Sequence, residues 1–319
     1  HMRAAVLAVL LAACGGGSID GVGDAQGQSD ARGPDASPPM PSGCVTDVST
    51  GDHTYTCGGL QVDARIPAQC QAPGCGLILV LHGDTGNGLL MDAHIKMREL
   101  GAQNGYIVIA PSGPPWPGGP GSTWSSGNDA TLVDMTTQFR DVFRVNPKKV
   151  HVTGFSRGGF VTWRLLCDHA DLFASAAPAG AGFGANFGET TCFQNNRAPS
   201  PKIPITFLMG RTDVSVGYTN MVNIRNAAIT NYGVTGPTVL ASDANYTHNQ
   251  WTGNGAVIET WDHAYENYPT SDFASAKGHC IVGSTTDPLA PQYAIPCQPP
   301  NAFVWGEEVM KFFMANPMP

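Results

Sequence analysis

Charge is what this chain has least of. Asp, Glu, Lys and Arg together make up 13% of 319 residues, and the formal net charge is −8. No basic stripe exists, which argues against nucleic acid as a partner. No uninterrupted apolar stretch reaches bilayer length: the longest, Ala4 to Leu11 with its small-residue continuation, is far too short to span as a helix. The motifs G-x-x-x-x-G-K-[ST] and H-E-x-x-H are missing, so neither a phosphate-cradling loop nor a zincin site is encoded. Cysteines spaced C-x-x-C are absent, and no metal site or cofactor is expected. Internal repeats are also lacking.

What is present suits a loop-rich exported protein. Gly and Pro are abundant, at 39 and 25 residues, and the hydrophobic fraction of 42% is enough for a sizeable core. His1-Met2 reads as a cloning scar, or His1 alone as a scar residue ahead of a native Met2. Arg3 then leads the apolar run into Leu11-Ala12-Ala13-Cys14, the layout of a signal peptide with a lipobox-like end over 1–14. In that reading Cys14 is the lipidation site, and a lipid anchor is the sole link to a membrane. Residues 15–43 carry little to bury and read as a disordered tether rich in Gly, Asp, Ser and Pro. The folded domain is expected over 44–319, as a monomer that is secreted or held at the outer surface. Setting Cys14 aside leaves eight cysteines, an even number that suits an oxidising compartment. Proximity suggests Cys44–Cys57, Cys70–Cys75, Cys167–Cys192 and Cys280–Cys297.

The chain is organised around VHVTGFSRGGF, Val150 to Phe160. A β-branched run breaks into Gly154-Phe155-Ser156-Arg157-Gly158. Phe160, Trp163 and Cys167 then recur at helical spacing. Strand, tight turn with a central Ser, then helix is the context of a G-x-S-x-G nucleophile elbow. The pattern alone is weak, because chance supplies roughly 0.3 matches in so Gly-rich a chain. Its flanking elements give it weight. The bland alternative is a turn with a capping Ser.

Around this elbow, buried strands are expected at 76–81, 106–110, 174–179, 203–209 and 257–261. Helices are expected from the loop after Gly86 to about 100, at 129–144, 218–231 and 302–315. Antiparallel edge strands are expected within 55–66, and Gly-rich connections carry Trp251. Alternating strands and helices make an α/β fold: a mostly parallel, doubly wound sheet with helices on both faces. In α/β-hydrolases the triad runs Ser, acid, His, on loops at the carboxyl ends of strands. Asp213, just past a strand in Gly210-Arg211-Thr212-Asp213, has that order, with Asp243 and Asp262 as fallbacks. His279, beside Gly278 and Cys280, is preferred as base over His248 and His263, because a disulfide at Cys280 would pin its loop. The backbone N–H groups of Arg157 and Asp84 are the expected oxyanion donors. His82 is expected to organise its loop. Trp124 and Trp251 are the candidate substrate contacts.

These residues resemble the secreted poly(3-hydroxybutyrate) depolymerase and feruloyl esterase group of α/β-hydrolases. The similarity spans about Leu77 to His279. It is densest in LVLHGD, VNPKKVHVTGFSRGGF, CDHADLFASAAPAGAG and the GRTD and GH motifs. The resemblance implies a cofactor-free carboxylic-ester hydrolase with Ser156, Asp213 and His279 as its triad, and it is consistent with a Cys167–Cys192 bridge. Arg157 departs from the family's frequent Asn. Cys280-Ile281 departs from its frequent Ala-Trp-Pro. Expected substrates are hydroxycinnamoyl or acetyl esters of plant polysaccharides, or a polyester such as poly(3-hydroxybutyrate). An aromatic synthetic polyester is a variant. A peptidase on the same fold and a non-catalytic lipoprotein scaffold are the competing readings.

Overall fold

The structure is a computed structural model that describes residues 37–184, 192–268, 277–284 and 295–318. The expected signal segment, Cys14 and most of the tether lie outside the described residues. The packed chain begins ahead of the expected Cys44: Pro39 is buried and Ser42 exchanges backbone hydrogen bonds with Val45.

One ten-stranded sheet runs through the described domain. Its strands are β1 (Gly51–Cys57), β2 (Leu60–Ile66), β3 (Gly76–Leu81), β4 (Tyr106–Pro111), β5 (Val150–Phe155), β6 (Ser175–Ala179), β7 (Ile205–Gly210), β8 (Thr235–Ser242), β9 (Tyr246–Gly253) and β10 (Ala256–His263). Their order is β1-β2-β4-β3-β5-β6-β7-β10-β9-β8. From β4 to β10 the pairs are parallel, and both margins are antiparallel.

Burial on both faces explains why the middle strands are mostly apolar, with His151, Thr153, Ser175 and Thr206 as buried polar exceptions. Leu77, Leu79 and Leu81 of β3 face one core, while Ile78 and Val80 face the other. The first core is covered by α3 (Asp129–Val142), α4 (Arg157–Asp168) and α5 (Tyr218–Tyr232). The second is covered by α1 (Gly88–Ile95), α2 (Met97–Gln103) and α6 (Trp305–Ala315). The single helix expected before residue 100 is two, because Lys96 at φ 52° interrupts it in the left-handed region. The stretch around Trp251, expected as Gly-rich connections, is the β8–β9 hairpin. Its outer strand is exposed almost throughout and so carries no buried-strand signature.

The chain leaves β3 toward β4 and leaves β5 in the opposite direction toward β6, although β3 and β5 are neighbours. The crevice beyond their carboxyl ends is therefore a topological switch point, where open α/β sheets bind ligands. Residues 82–86 and 156–159 meet there.

Disulfides join Cys44–Cys57, Cys167–Cys192 and Cys280–Cys297. The expected Cys70–Cys75 bridge is not formed. Both are buried free thiols, and the Cys70 sulfur is held toward the Gly105 carbonyl at 3.9 Å. A hydrogen bond to the Cys75 thiol, reinforced by burial, pushes the Cys70 thiol far above the ordinary range.

Candidate active site

Ser156 sits between β5 and α4 at φ 54° and ψ −119°, a conformation that costs on the order of 1–3 kcal/mol for a non-Gly residue. The surroundings over-determine it. The Ser156 N–H donates to the Ala179 carbonyl at 2.9 Å, and its own carbonyl accepts from Phe160 N–H at 3.0 Å. The two motif glycines are required by crowding. A Cβ at Gly154 would lie 2.5 Å from the Gly158 carbonyl oxygen, and one at Gly158 would lie 2.2 Å from that of Leu81. The helix thus starts hard against the sheet, with the N-terminus of α4 beside the serine.

Asp213 and His279 meet from opposite loops. The Asp213 Oδ2 accepts from His279 Nδ1 at 2.7 Å, and both side chains are almost wholly buried. The other carboxylate oxygen accepts from the N–H groups of Ser215 at 2.8 Å and Val216 at 2.9 Å. With Nδ1 donating to the carboxylate, the imidazole is held in the tautomer whose Nε2 can accept a proton. Ser156 and His279 line one cavity. The His279 ring also packs on Phe155 at 4.7 Å, and its carbonyl accepts from Asn267 Nδ2 at 2.8 Å.

The backbone brings the Asp213 and His279 loops into contact through Gly210 and Gly278, which the sequence offered only as members of the GRTD and GH motifs. A Cβ at Gly210 would lie 2.0 Å from the Gly278 carbonyl oxygen. Gly278 has φ 70°, and a Cβ there would lie 2.6 Å from Thr212 Oγ1 and 2.7 Å from Asp213 N. The Cys280–Cys297 disulfide follows His279 directly. His263, at the end of β10, is buried against this bridge. Burial lowers it to about 4, so it is a neutral packing group at physiological pH. His248 pairs with Glu259 and stacks on Trp261, away from the crevice. Of the fallback acids, Asp243 caps the turn before β9, and Asp262 lies buried on β10 beside Asn249.

His82 is buried behind the loop carrying Asp84. Desolvation lowers it to about 4. Its Nδ1 donates to the Gly83 carbonyl at 2.6 Å, and its Nε2 accepts from Gly113 N–H at 2.9 Å. These two bonds fix a neutral tautomer. Trp124 is not a rim residue. It is 2% exposed, and its indole N–H donates to the His82 carbonyl at 3.0 Å, so it braces the loop from behind. Trp251 is likewise buried, on β9, under the Arg225 guanidinium at 5.5 Å. Both fill buried positions, Trp124 on a loop as the sequence suggested and Trp251 on a strand where the sequence suggested a loop.

Asp84 and Arg157 lie within the crevice. Arg157 Nε donates to the Asp84 carboxylate at 3.2 and 3.3 Å, and Thr123 Oγ1 donates to the same carboxylate. Beside them opens a cavity of about 60 Å³ lined by Leu90, Met91, Phe155 and Ile295, with His94 at its polar side.

Comparison with known proteins gives the same picture of the fold. Over 241 residues the chain is 24% identical to "Poly(3-hydroxyalkanoate) depolymerase C" of Paucimonas lemoignei, covering 72% of this chain and 57% of that protein. Over 144 residues it is 28% identical to "Acetylxylan esterase A" of Aspergillus ficuum, covering 40% of this chain and 47% of the other. The chain spans about half the length of these curated relatives. The solved acetyl xylan esterase from Aspergillus awamori superposes with a TM-score of 0.53 at 20% identity, over 66% of this chain and 92% of that one, a likeness of fold. The alpha/beta hydrolase family model matches residues 78–309, well over half of the chain, and the protein belongs to that family.

Proposed function

We propose that the protein is a serine carboxylic-ester hydrolase that acts outside the cytoplasm. The single observation carrying this reading is the buried 2.7 Å Asp213–His279 bond beside a strained elbow serine in one cavity. His279 Nε2 takes the Ser156 proton as Oγ attacks the ester carbonyl. Asp213 stabilises the imidazolium, and the same proton then goes to the leaving alcohol. Water resolves the acyl-enzyme by the reverse sequence. The N–H groups of Arg157 and Asp84 hold the oxyanion. Relatives named poly(3-hydroxyalkanoate) depolymerase and acetylxylan esterase support an ester substrate. Three disulfides support an oxidising compartment, with Cys14 the candidate anchor.

Cavity size narrows the acyl group. A space of about 60 Å³ takes on the order of four water-sized groups, at roughly 15 Å³ each. A benzene ring occupies an apolar cavity of about 150 Å³. Acetyl and short hydroxyalkanoyl groups therefore fit inside it, whereas a hydroxycinnamoyl ring would extend past its open mouth.

The test is hydrolysis of p-nitrophenyl acetate and butyrate by the chain and by Ser156→Ala. Loss of the nucleophile should lower kcat by roughly 10⁴ or more. Equal activity in both proteins would remove Ser156 from the mechanism. Acetylated xylan, poly(3-hydroxybutyrate) and methyl ferulate then rank the substrates, and a preference for ferulate would show that the acyl group binds mainly outside this cavity.

A further inference from the structure

We propose that the Asp84–Arg157 ion pair is a positioning clamp that sets the separation of the two oxyanion N–H donors. The proposal rests on the ester-hydrolase reading above and extends it to two side chains that the mechanism itself does not use.

The two donors must converge on one oxygen, yet they stand 73 residues apart in sequence, on different loops. Register puts them level. Leu81 of β3 pairs with Gly154 of β5, and Asp84 and Arg157 each lie three residues further on. The Arg157 side of the crevice is rigid, held by the close approach of Gly158 to Leu81 and by the Ser156 bond to Ala179. The Asp84 side is a turn. Gly86 N–H bonds back to the Gly83 carbonyl at 3.2 Å, and Thr85 takes φ 64°. Its outer flank is tied down by Ser122 N–H on the Gly86 carbonyl at 3.0 Å and by Thr123 on the Asp84 carboxylate. On its inner flank, the Arg157 guanidinium grips Asp84 across the crevice at 3.2 and 3.3 Å. Each partner thus carries a donor on its backbone and half of the clamp on its side chain.

Arg157 has a second effect. Asp84 places a carboxylate close to where negative charge develops, and the guanidinium neutralises it. The two effects make opposite predictions for one variant. If charge alone mattered, Asp84→Ala would leave a cation beside the oxyanion and raise kcat. If the clamp matters, Asp84→Ala lowers kcat, because the turn is released. Misplacement by 1 Å costs about 10²-fold, and loss of one oxyanion donor costs about 10²–10³.

The experiment is a double-mutant cycle of Asp84→Ala and Arg157→Ala, with Arg157→Lys alongside. It reads kcat and KM for p-nitrophenyl acetate, the inhibition constant of a boronic acid that forms a tetrahedral adduct on serine, and the melting temperature. Each single variant is expected to lose 10- to 100-fold in kcat with KM within threefold. The double variant should be no worse than the worse single, since both break one clamp. Arg157→Lys should recover part of the loss. Boronic acid affinity should weaken in step with kcat/KM, which a merely structural role would not produce. If Asp84→Ala does not fold, Asp84→Asn is read in its place: it keeps the size and an acceptor for Thr123, and a loss of kcat is again expected. The clamp is overturned if the Asp84 variant keeps or gains kcat, or if the two losses multiply. An active wild type with a dead Ser156→Ala and an intact Asp84→Ala defeats the clamp alone. A wild type inactive on every ester defeats the ester-hydrolase reading and the clamp with it.

Discussion

Acid should destabilise this protein already between about pH 6.5 and 5, where its buried histidines protonate only on unfolding. His82, His151 and His263 are each no more than 1% exposed, and desolvation is the largest cause of their lowering, to about 4, 3 and 4. His151 is further boxed in by a stack on Phe313 at 4.5 Å and a bond between Nδ1 and Ser175 Oγ at 2.8 Å. Each is neutral when folded and protonates on unfolding below about 6.5. Between that pH and the lowered values the unfolded chain binds more protons, so stability is whole above about 6.5 and falls as pH drops. At pH 5 each histidine has withdrawn about 2 kcal/mol, or about 6 kcal/mol for the three, against a typical total of 5–15. Buried Asp262, which burial raises, works in the opposite direction and subtracts up to about one proton. The slope near pH 5 should therefore be about 2.5–4 kcal/mol per pH unit. Urea unfolding followed by tryptophan fluorescence from pH 7 to 5 measures it. His151→Phe keeps the aromatic stack and should reduce that slope by about 1.3 kcal/mol per pH unit, whatever it does to absolute stability. A slope under about 1 kcal/mol per pH unit, or one indifferent to His151→Phe, would show that these rings are not held neutral by burial.

Three further outcomes follow from the geometry of the site. Gly278→Ala forces a Cβ to within 2.6 Å of Thr212 Oγ1 at φ 70°, so it should move His279 off Asp213. Its kcat should fall about 100-fold with a small change in KM. Trp124→Phe removes the bond to the His82 carbonyl but keeps the ring. It should lower kcat several-fold at unchanged KM, whereas a rise in KM alone would restore Trp124 as a substrate contact. Replacing Cys280 and Cys297 together by Ser opens a bridge of sequence separation 17, worth about 3 kcal/mol in chain entropy. Because His279 adjoins Cys280, kcat should fall along with the melting temperature, and a fall in melting temperature alone would show that the bridge does not steady the base.

Much of the architecture was legible because crowding writes itself into sequence. Gly154 and Gly158 flank Ser156 since any Cβ there would enter backbone 2.5 Å or less away. Strands β3, β4 and β7 are readable as near-continuous apolar runs because both faces of each are buried, and β5 and β6 as short β-branched and small-residue runs. The order of Ser156, Asp213 and His279 follows from loops at the same sheet edge, and TDVS at 212–215 is the signature of an aspartate that turns its carboxylate onto the N–H groups ahead of it.

The illegible parts share a different physical cause: they depend on pairings between distant segments, which leave no local pattern. β8 is exposed along nearly its whole length, so it has no alternation to read. Trp124 and Trp251 stand in polar, Gly-rich stretches that suggest rims, yet both are core, because loop 111–125 folds back onto His82 and β9 pairs with β10. The sequence pairs Asp84 with Arg157 as backbone donors and puts Gly210 and Gly278 in the Asp213 and His279 loops, but neither the Asp84–Arg157 ion pair nor the close approach of the two glycines leaves a local signal. Asp84 and Arg157 follow the paired ends of β3 and β5, whereas Gly278 reaches the end of β7 from a loop outside the sheet. The chemistry of the site was thus written locally, in one motif and two loops. The spacing of the groups around it was written in contacts between strands, and the Asp84–Arg157 cycle tests whether that spacing, as distinct from the triad, limits the rate.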